Sequence, residues 1–154
     1  MRLLRLLLVI VVLGFSLNMF ASDSAFSGTW KLNTAKSKMT GPSPQSDIAK
    51  VEADDNGIKF SEEMTDDNGK STKFSTEAKF DGKDYPTSGD PDSDSISYRR
   101  VNANTLTATL KKAGKVSEKL TIVVSKDGQV TTVNWTAYPE TGKPMKGVAV
   151  YDKQ

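Results

Sequence analysis

Six turn dipeptides recur along this chain, and they constrain its fold more than any other feature. Asn-Gly and Asp-Gly tolerate the positive φ that a two-residue hairpin turn requires. Strands joined by such turns repeat about every 8–12 residues. The spacing of these dipeptides therefore predicts short strands joined by hairpins. The six are Asn56-Gly57, Asn68-Gly69, Asp81-Gly82, Ala113-Gly114, Asp127-Gly128 and Thr141-Gly142.

Between the turns, apolar and polar residues alternate with a period of two. Ile58, Phe60 and Met64 share one face of a strand, and Leu106 and Leu110 share one face of another. A repeated period of two is typical of antiparallel sheets with one buried face and one hydrated face. We therefore predict strands over residues 26–33, 47–54, 58–65, 71–80, 83–87, 95–101, 105–112, 115–125, 129–137 and 145–152.

A series of short antiparallel strands either closes into a barrel or splits into a sandwich. Closure removes the exposed edges of a sheet, so we predict an all-β domain with a single antiparallel up-and-down β-barrel. The number of predicted segments gives the barrel about ten strands, with little or no helix outside an N-terminal leader. The shift in alternation between Val130 and Val133 further predicts a β-bulge in the ninth strand.

The first residues have the features of an export leader. Arg2 and Arg5 precede a predominantly apolar run over residues 6–17, and the small residue Ala21 follows it. A basic start, a short apolar core and a small residue at the end are typical of a secretory signal peptide. We predict a signal peptide over residues 1–21, with an uncleaved anchor as the alternative, and a periplasmic or extracellular domain over residues 22–154.

The residue types that are absent exclude whole classes of chemistry. With no Cys and no His, the chain cannot form a disulfide scaffold, a Ser–His triad or a zinc site built on those ligands. Without Arg2 and Arg5, the 21 basic residues become 19 and match the 19 acidic ones. This balance predicts no nucleic-acid partner and no membrane association after leader removal. We expect a monomer with no cofactor and no enzymatic activity. An enzyme without His or Cys would require an inward carboxylate pair such as Glu62 with Glu118.

The segment 26–32, Phe-Ser-Gly-Thr-Trp-Lys-Leu, resembles the first strand of the calycin barrels, which include the lipocalins and the fatty-acid-binding proteins. In those families a Gly-x-Trp motif marks the first strand, and its Trp closes one end of the barrel. By this resemblance, Gly28 and Trp30 are the glycine and the tryptophan of the Gly-x-Trp motif. The chain is also similar to small exported bacterial lipocalin-like proteins of unassigned activity, through the segments DGKDYP (81–86), VSKDG (124–128) and VYDK (150–153). The likeness implies a fold rather than a function.

The resemblance does not extend to a fatty-acid ligand. Fatty-acid-binding proteins hold the ligand carboxylate with an Arg-x-Tyr pair in the last strand. Tyr151 matches the tyrosine of that pair, but Ala149 stands where the arginine belongs.

Strand phase identifies candidate ligand contacts on the inward face. Arg100 lies two residues after Tyr98, so the period of two places both side chains on the inward face. A buried charge needs a partner. We therefore expect Arg100 to face Glu62 or Glu118, either as a structural ion pair or as the polar anchor of a ligand; the alternative is that strand ends turn these groups to solvent. The predicted ligand contacts are Phe60, Phe74, Tyr98, Arg100, Leu106, Glu118 and Ile122.

These contacts predict a binding protein for a small, partly hydrophobic molecule. The alternative is a structural or envelope interaction domain whose core is filled by side chains. The volume of the interior distinguishes the two, because a cavity of roughly 300 Å³ or more favours ligand binding.

Asp90, Asp92 and Asp94 have the spacing with which a calcium loop begins. An EF-hand would also need Gly in place of Ser95 and Glu in place of Val101. We therefore predict a hydrated turn loop and no metal site, with weak calcium binding by these three aspartates as the alternative.

Overall fold

The computed structural model describes residues 24–41 and 43–154. The predicted signal peptide and its cleavage site lie outside these residues. The ten strands are β1 (Gly28–Leu32), β2 (Ser46–Ala53), β3 (Gly57–Thr65), β4 (Ser71–Lys79), β5 (Tyr85–Ser88), β6 (Ser95–Asn102), β7 (Thr105–Lys112), β8 (Lys115–Val124), β9 (Val130–Ala137) and β10 (Met145–Lys153). Within the described ranges, no helix has the length and apolar character needed to cross a membrane.

The strands form one closed antiparallel barrel in which each strand pairs with its neighbours in sequence. β1 completes the barrel by pairing with both β2 and β10. Trp30, for example, lies opposite Lys153 on one side and Ala49 on the other. The predicted fold class, a ten-stranded up-and-down barrel, is confirmed.

The acidic residues of the hairpins cap their own turns. Asp54 Oδ1 accepts hydrogen bonds from the backbone N–H groups of Asn56 and Gly57 at 2.7 and 2.9 Å. Asp66 Oδ1 accepts from the N–H groups of Asn68 and Lys70 at 2.9 and 2.8 Å. Asp side chains stabilise tight turns in this way, and the two turns place β3 between β2 and β4.

One end of the barrel is sealed by aromatic side chains and by Arg100. Trp30 is buried, and its indole Nε1–H donates to the carbonyl oxygen of Phe26 at 2.9 Å. The Arg100 guanidinium lies 4.6 Å from the ring centroid of Phe80, and its Nη2 donates to the carbonyl oxygen of Asp54 at 2.6 Å. We call this group, Phe26, Trp30, Phe80 and Arg100, the closed end.

The bulge predicted in β9 is not present. β9 pairs with β8 and β10 without a break in register, so Val130 and Val133 lie on opposite faces of a regular strand. Val133 lines the interior together with Thr131 and Trp135. The register shifts occur instead between Arg100 and Asn102 in β6, and between Leu110 and Lys111 where β7 pairs with β8.

Candidate ligand cavity

The barrel encloses a cavity of about 460 Å³ between the closed end and the β5–β6 loop. This volume exceeds the roughly 300 Å³ at which an interior can hold a small organic molecule. Most of the lining side chains are apolar or aromatic, with Phe60, Phe74 and Trp135 among the largest. The interior is therefore not filled by side chains, contrary to what the alternative of a solid β-domain requires.

A larger depression of about 540 Å³ lies outside the barrel, beside Lys38, Lys119 and Lys146. These lysines are exposed to solvent. The depression is open to solvent, whereas the interior cavity can shield a ligand from water. The interior cavity is therefore the candidate site.

Six of the seven predicted ligand contacts line this cavity: Phe60, Phe74, Tyr98, Leu106, Glu118 and Ile122. Phe60 on β3 and Phe74 on β4 are diagonal neighbours, and their ring centroids lie 5.6 Å apart in an edge-to-face arrangement. Leu106 is fully buried, at 0% exposure. The structure thus brings these six side chains together around one space. Their contact with a ligand stays a prediction.

Arg100 is the exception, because it lies at the closed end and does not line the cavity. Among the described residues no ion pair joins Arg100 to Glu62 or Glu118. Its partners are the Asp54 carbonyl oxygen and the face of Phe80. Strand phase gave the correct face for Arg100, but the height of the residue along the barrel separates it from the two glutamates.

We expect Arg100→Ala to weaken the fold without weakening ligand binding. The substitution removes a charged hydrogen bond to the Asp54 carbonyl and a cation–π contact, and should lower the free energy of unfolding by roughly 1–3 kcal/mol. Chemical denaturation measures this loss, and Arg99→Ala on the outer face is the matched control, expected to change stability by less than about 0.5 kcal/mol. Reduced ligand binding with unchanged stability would instead make Arg100 a ligand anchor.

Three carboxyl side chains from separate strands point to the interior: Asp47 from β2, Glu62 from β3 and Glu118 from β8. Glu62 and Glu118 line the cavity. Asp47 alternates in phase with Ala49 and is only 6% exposed. The Tyr151 hydroxyl donates to Asp47 Oδ2 at 2.8 Å. A buried carboxyl cluster without a cation is unusual and favours a functional role.

The protonation of this cluster follows from its burial. Burial raises the pKa of Glu62 well above its ordinary value, and the neighbouring charge of Asp47 raises it further. Burial also raises the pKa of Asp47, although the hydrogen bond from Tyr151 opposes this shift. Asp47 Oδ1 finds no donor among the fixed N–H and O–H groups of the described residues. A proton on Glu62 can supply one, so Glu62 is the member of the pair that keeps its proton to the higher pH.

Glu118 lies on the opposite wall and responds to different neighbours. Burial, followed by the negative charges of Asp90 and Asp92, raises the pKa of Glu118 to about 7. Burial likewise raises the pKa of the Tyr98 and Tyr151 hydroxyls, so both phenols remain protonated donors. At neutral pH the cavity therefore holds a carboxyl group that is close to its own titration midpoint.

The β5–β6 loop brings two further acids to the same cavity. Asp90 and Asp92 line its open end, and Asp90 Oδ1 accepts from the Asp92 N–H at 2.8 Å. Asp94 Oδ2 instead accepts from the Ala113 N–H at 2.7 Å, so the three aspartates do not converge. In the described ranges, no group of three or more His, Cys, Asp or Glu side chains is arranged to hold a metal ion.

Reasoning from the sequence missed Asp47, Thr131 and Trp135 as residues of the interior. The alternation of Asp47 with Ala49 and Val51 was the signal that could have identified it. Thr131 was missed because the expected bulge reversed the phase of β9. The Thr131 side chain is 8% exposed, and its hydroxyl has no hydrogen-bond partner among the described residues.

Trp135 fits into the cavity wall because Gly147 lies opposite it on β10. A Cβ atom at position 147 would lie only 2.6 Å from Cε2 of the indole and 2.8 Å from the Lys38 carbonyl oxygen. The absence of a side chain at Gly147 therefore gives the indole its space at the open end of the cavity.

No protein-family model and no curated protein matches the sequence. Among solved structures, the chain is similar to the siderocalin Ex-FABP, a protein described as functioning through dual ligand specificities. The match covers 85% of this chain and 75% of that chain, with 10% sequence identity and a TM-score of 0.40. A likeness this distant carries no argument about function. The strand order and the closure of the barrel themselves show a ten-stranded antiparallel up-and-down barrel, the architecture that the Gly-x-Trp resemblance implies.

Proposed function

We propose that the protein is an exported binding protein that holds a small, partly hydrophobic molecule inside the barrel, without catalysis. The observation that carries this proposal is the interior cavity of about 460 Å³, lined mainly by apolar and aromatic side chains. Protein interiors are otherwise packed densely, with few voids larger than a water molecule. A cavity of this size lowers stability unless a ligand fills it, which favours a binding role.

Features of the sequence and of the closed sheet support the proposed location and the proposed monomeric state. The leader over residues 1–21 supports export to the periplasm or the extracellular space. The equal numbers of acidic and basic residues after it support a protein that acts without nucleic acid and apart from the membrane. Closure of the barrel leaves no free strand edge for another copy to pair with, which supports a monomer.

Native mass spectrometry of the full-length gene product, purified from its own host, tests the proposal. We expect a bound small molecule that is released on denaturation. Thr72→Trp places a bulky side chain in the cavity and should abolish the bound mass. Lys73→Trp, on the outer face of the same strand, is the matched control and should retain it. A wild-type protein without any bound mass, or equal occupancy in both variants, would contradict the proposal.

A second candidate function, acid–base catalysis, is favoured by one observation. Glu62 and Glu118 line the same cavity, and burial raises the pKa of both carboxyls. Paired carboxyls with shifted pKa values are common in active sites. Incubating the co-purified molecule with fresh protein separates the two functions. Recovery of the molecule unchanged supports a binding protein, and its conversion to a product supports an enzyme.

A further inference from the structure

We propose that the molecule held in the barrel is an organic cation, an amine with an apolar body. This inference rests on the proposed binding function and adds the charge of the ligand. The geometry that points to it is a set of inward carboxyl groups around an apolar cavity whose lining contains no basic side chain among the described residues.

The carboxyl groups reach the cavity from several directions. Glu62 and Glu118 line its walls, Asp90 and Asp92 line its open end, and Asp47 lies beside Glu62. Two basic groups at the closed end contact aromatic side chains. The Arg100 guanidinium covers Phe80, and Lys153 Nζ lies 5.3 Å from the ring of Trp30. The field inside the cavity is therefore negative and selects for positive charge.

A buried hydroxyl without a partner provides a second, independent observation. Thr131 lines the cavity with 8% of its surface exposed, and its hydroxyl oxygen has no hydrogen-bond partner among the described residues. Buried polar atoms are nearly always paired, and leaving one unpaired destabilises the fold. An ammonium group carries three N–H donors and can satisfy such acceptors.

The rest of the lining suits the body of such a molecule. Aromatic rings attract cations through their faces, and Phe60, Phe74, Tyr98 and Trp135 all line the cavity. Their apolar surface favours a hydrocarbon or aromatic body over a bare metal ion. Glu118 would repel the carboxylate of an anionic ligand. Ala149 on β10 also lines the cavity, and its uncharged side chain cannot pair with a carboxylate.

Binding of a cation should release protons. Opposite charge favours the ionised form of a carboxyl group, so a bound ammonium lowers the raised pKa values of Glu62 and Glu118. A neutral ligand brings no charge and leaves these protons in place. The groups that face the two glutamates are Asp47 on β2, Tyr98 on β6, Tyr151 on β10, and Asp90 and Asp92 in the β5–β6 loop.

Three probes that share one apolar chain test the proposal on the full-length protein at pH 7: decylamine, decanol and decanoate. Tryptophan fluorescence reports binding, since Trp30 and Trp135 both line the cavity. We expect decylamine to bind about tenfold or more tightly than decanol, and decanoate to bind most weakly. Calorimetry in two buffers of different ionisation enthalpy should detect proton release with decylamine and none with decanol.

Isosteric variants test whether Glu62 and Glu118 cause the preference for decylamine over decanol. The double variant Glu62→Gln and Glu118→Gln should lose the preference of decylamine over decanol and should still bind decanol. Glu63→Gln, on the outer face of β3, is the matched control and should keep the preference. Retention of the preference in the double variant would overturn the assignment to these carboxyls.

The outcomes separate this inference from the function on which it rests. If decanol or decanoate binds as tightly as decylamine, the ligand is not selected by positive charge, and only the general binding function survives. If none of the three probes binds, the inference of an organic amine fails, while the bound mass in native mass spectrometry still decides the general binding function. Displacement of decylamine by millimolar calcium chloride would indicate a metal site and would overturn the assignment of an organic amine.

Discussion

Gly89→Ala should lower the free energy of unfolding by roughly 3 kcal/mol, even though the substitution adds a single methyl group. Gly89 has a φ of +89°, a conformation that L side chains rarely adopt. A Cβ atom at this position would also overlap the backbone carbonyl oxygen of Lys73 on the neighbouring strand. Backbone cannot move aside as a flexible side chain can, so the loop that lines the cavity mouth must shift. Urea denaturation measures the loss.

Gly114→Ala is the matched control for this prediction. Gly114 has a similar φ of +77°, but no atom lies within 4 Å of an added Cβ. Its substitution should lower the free energy of unfolding by only about 1 kcal/mol, the cost of the backbone conformation alone. Equal losses at the two positions would contradict the close contact between Gly89 and Lys73.

The ligand-free protein should become less stable as the pH rises from about 4.5 to about 7. The pKa of Glu118 is about 7 in the folded protein and about 4.3 in an unfolded chain. Between these values the folded state binds more protons than the unfolded state, so the free energy of unfolding falls with rising pH. Ionisation of Glu118 alone can remove up to about 3 kcal/mol. The pKa of Glu62 is also raised, so its ionisation lowers the stability in the same direction.

Asp54 and Asp94 have the opposite effect on the free energy of unfolding at lower pH. Backbone N–H groups lower the pKa of Asp54 and of Asp94, so their contributions are lost as the pH falls through those lowered values. Stability should therefore be greatest near pH 4–5, in contrast to the usual maximum between about pH 5 and 8. Denaturation curves recorded over a pH series test this expectation.

Two variants test whether ionisation of Glu118 causes the loss of stability above pH 4.5. Glu118→Gln should remove much of the slope, because the amide does not ionise, while Glu77→Gln on the outer face should leave it unchanged. A wild-type protein whose stability rises steadily from pH 4.5 to 7 would contradict burial of these carboxyls.

The fold was predictable because local signals agreed along the whole chain. Alternation placed Ile58, Phe60, Glu62 and Met64 on one face of β3, and that is their face in the barrel. The turn dipeptides fixed the strand ends independently. β5 was predicted over residues 83–87 and spans Tyr85–Ser88, a strand of four residues, which is too short to show a period by itself.

The site was less predictable, because strand phase gives the face of a residue but not its height along the barrel. Arg100 has the inward phase of Ile96 and Tyr98, yet it lies at the closed end, away from Glu62. The pairing of Asp47 with Tyr151 joins residues 104 positions apart in sequence. Only the order of strands around the barrel brings β2, β3 and β10 close enough for these groups to meet.

The four-residue strand β5 is the least extensively paired strand in the barrel wall. It pairs through two residue pairs with β4 and two with β6, whereas β3 and β4 pair through nine. Separating the wall at β5 breaks few backbone hydrogen bonds, so that opening requires much less free energy than unfolding the domain. For the proposed ligand, such a local opening would add a second route of exchange beside the open end of the cavity, while the rest of the barrel stays intact.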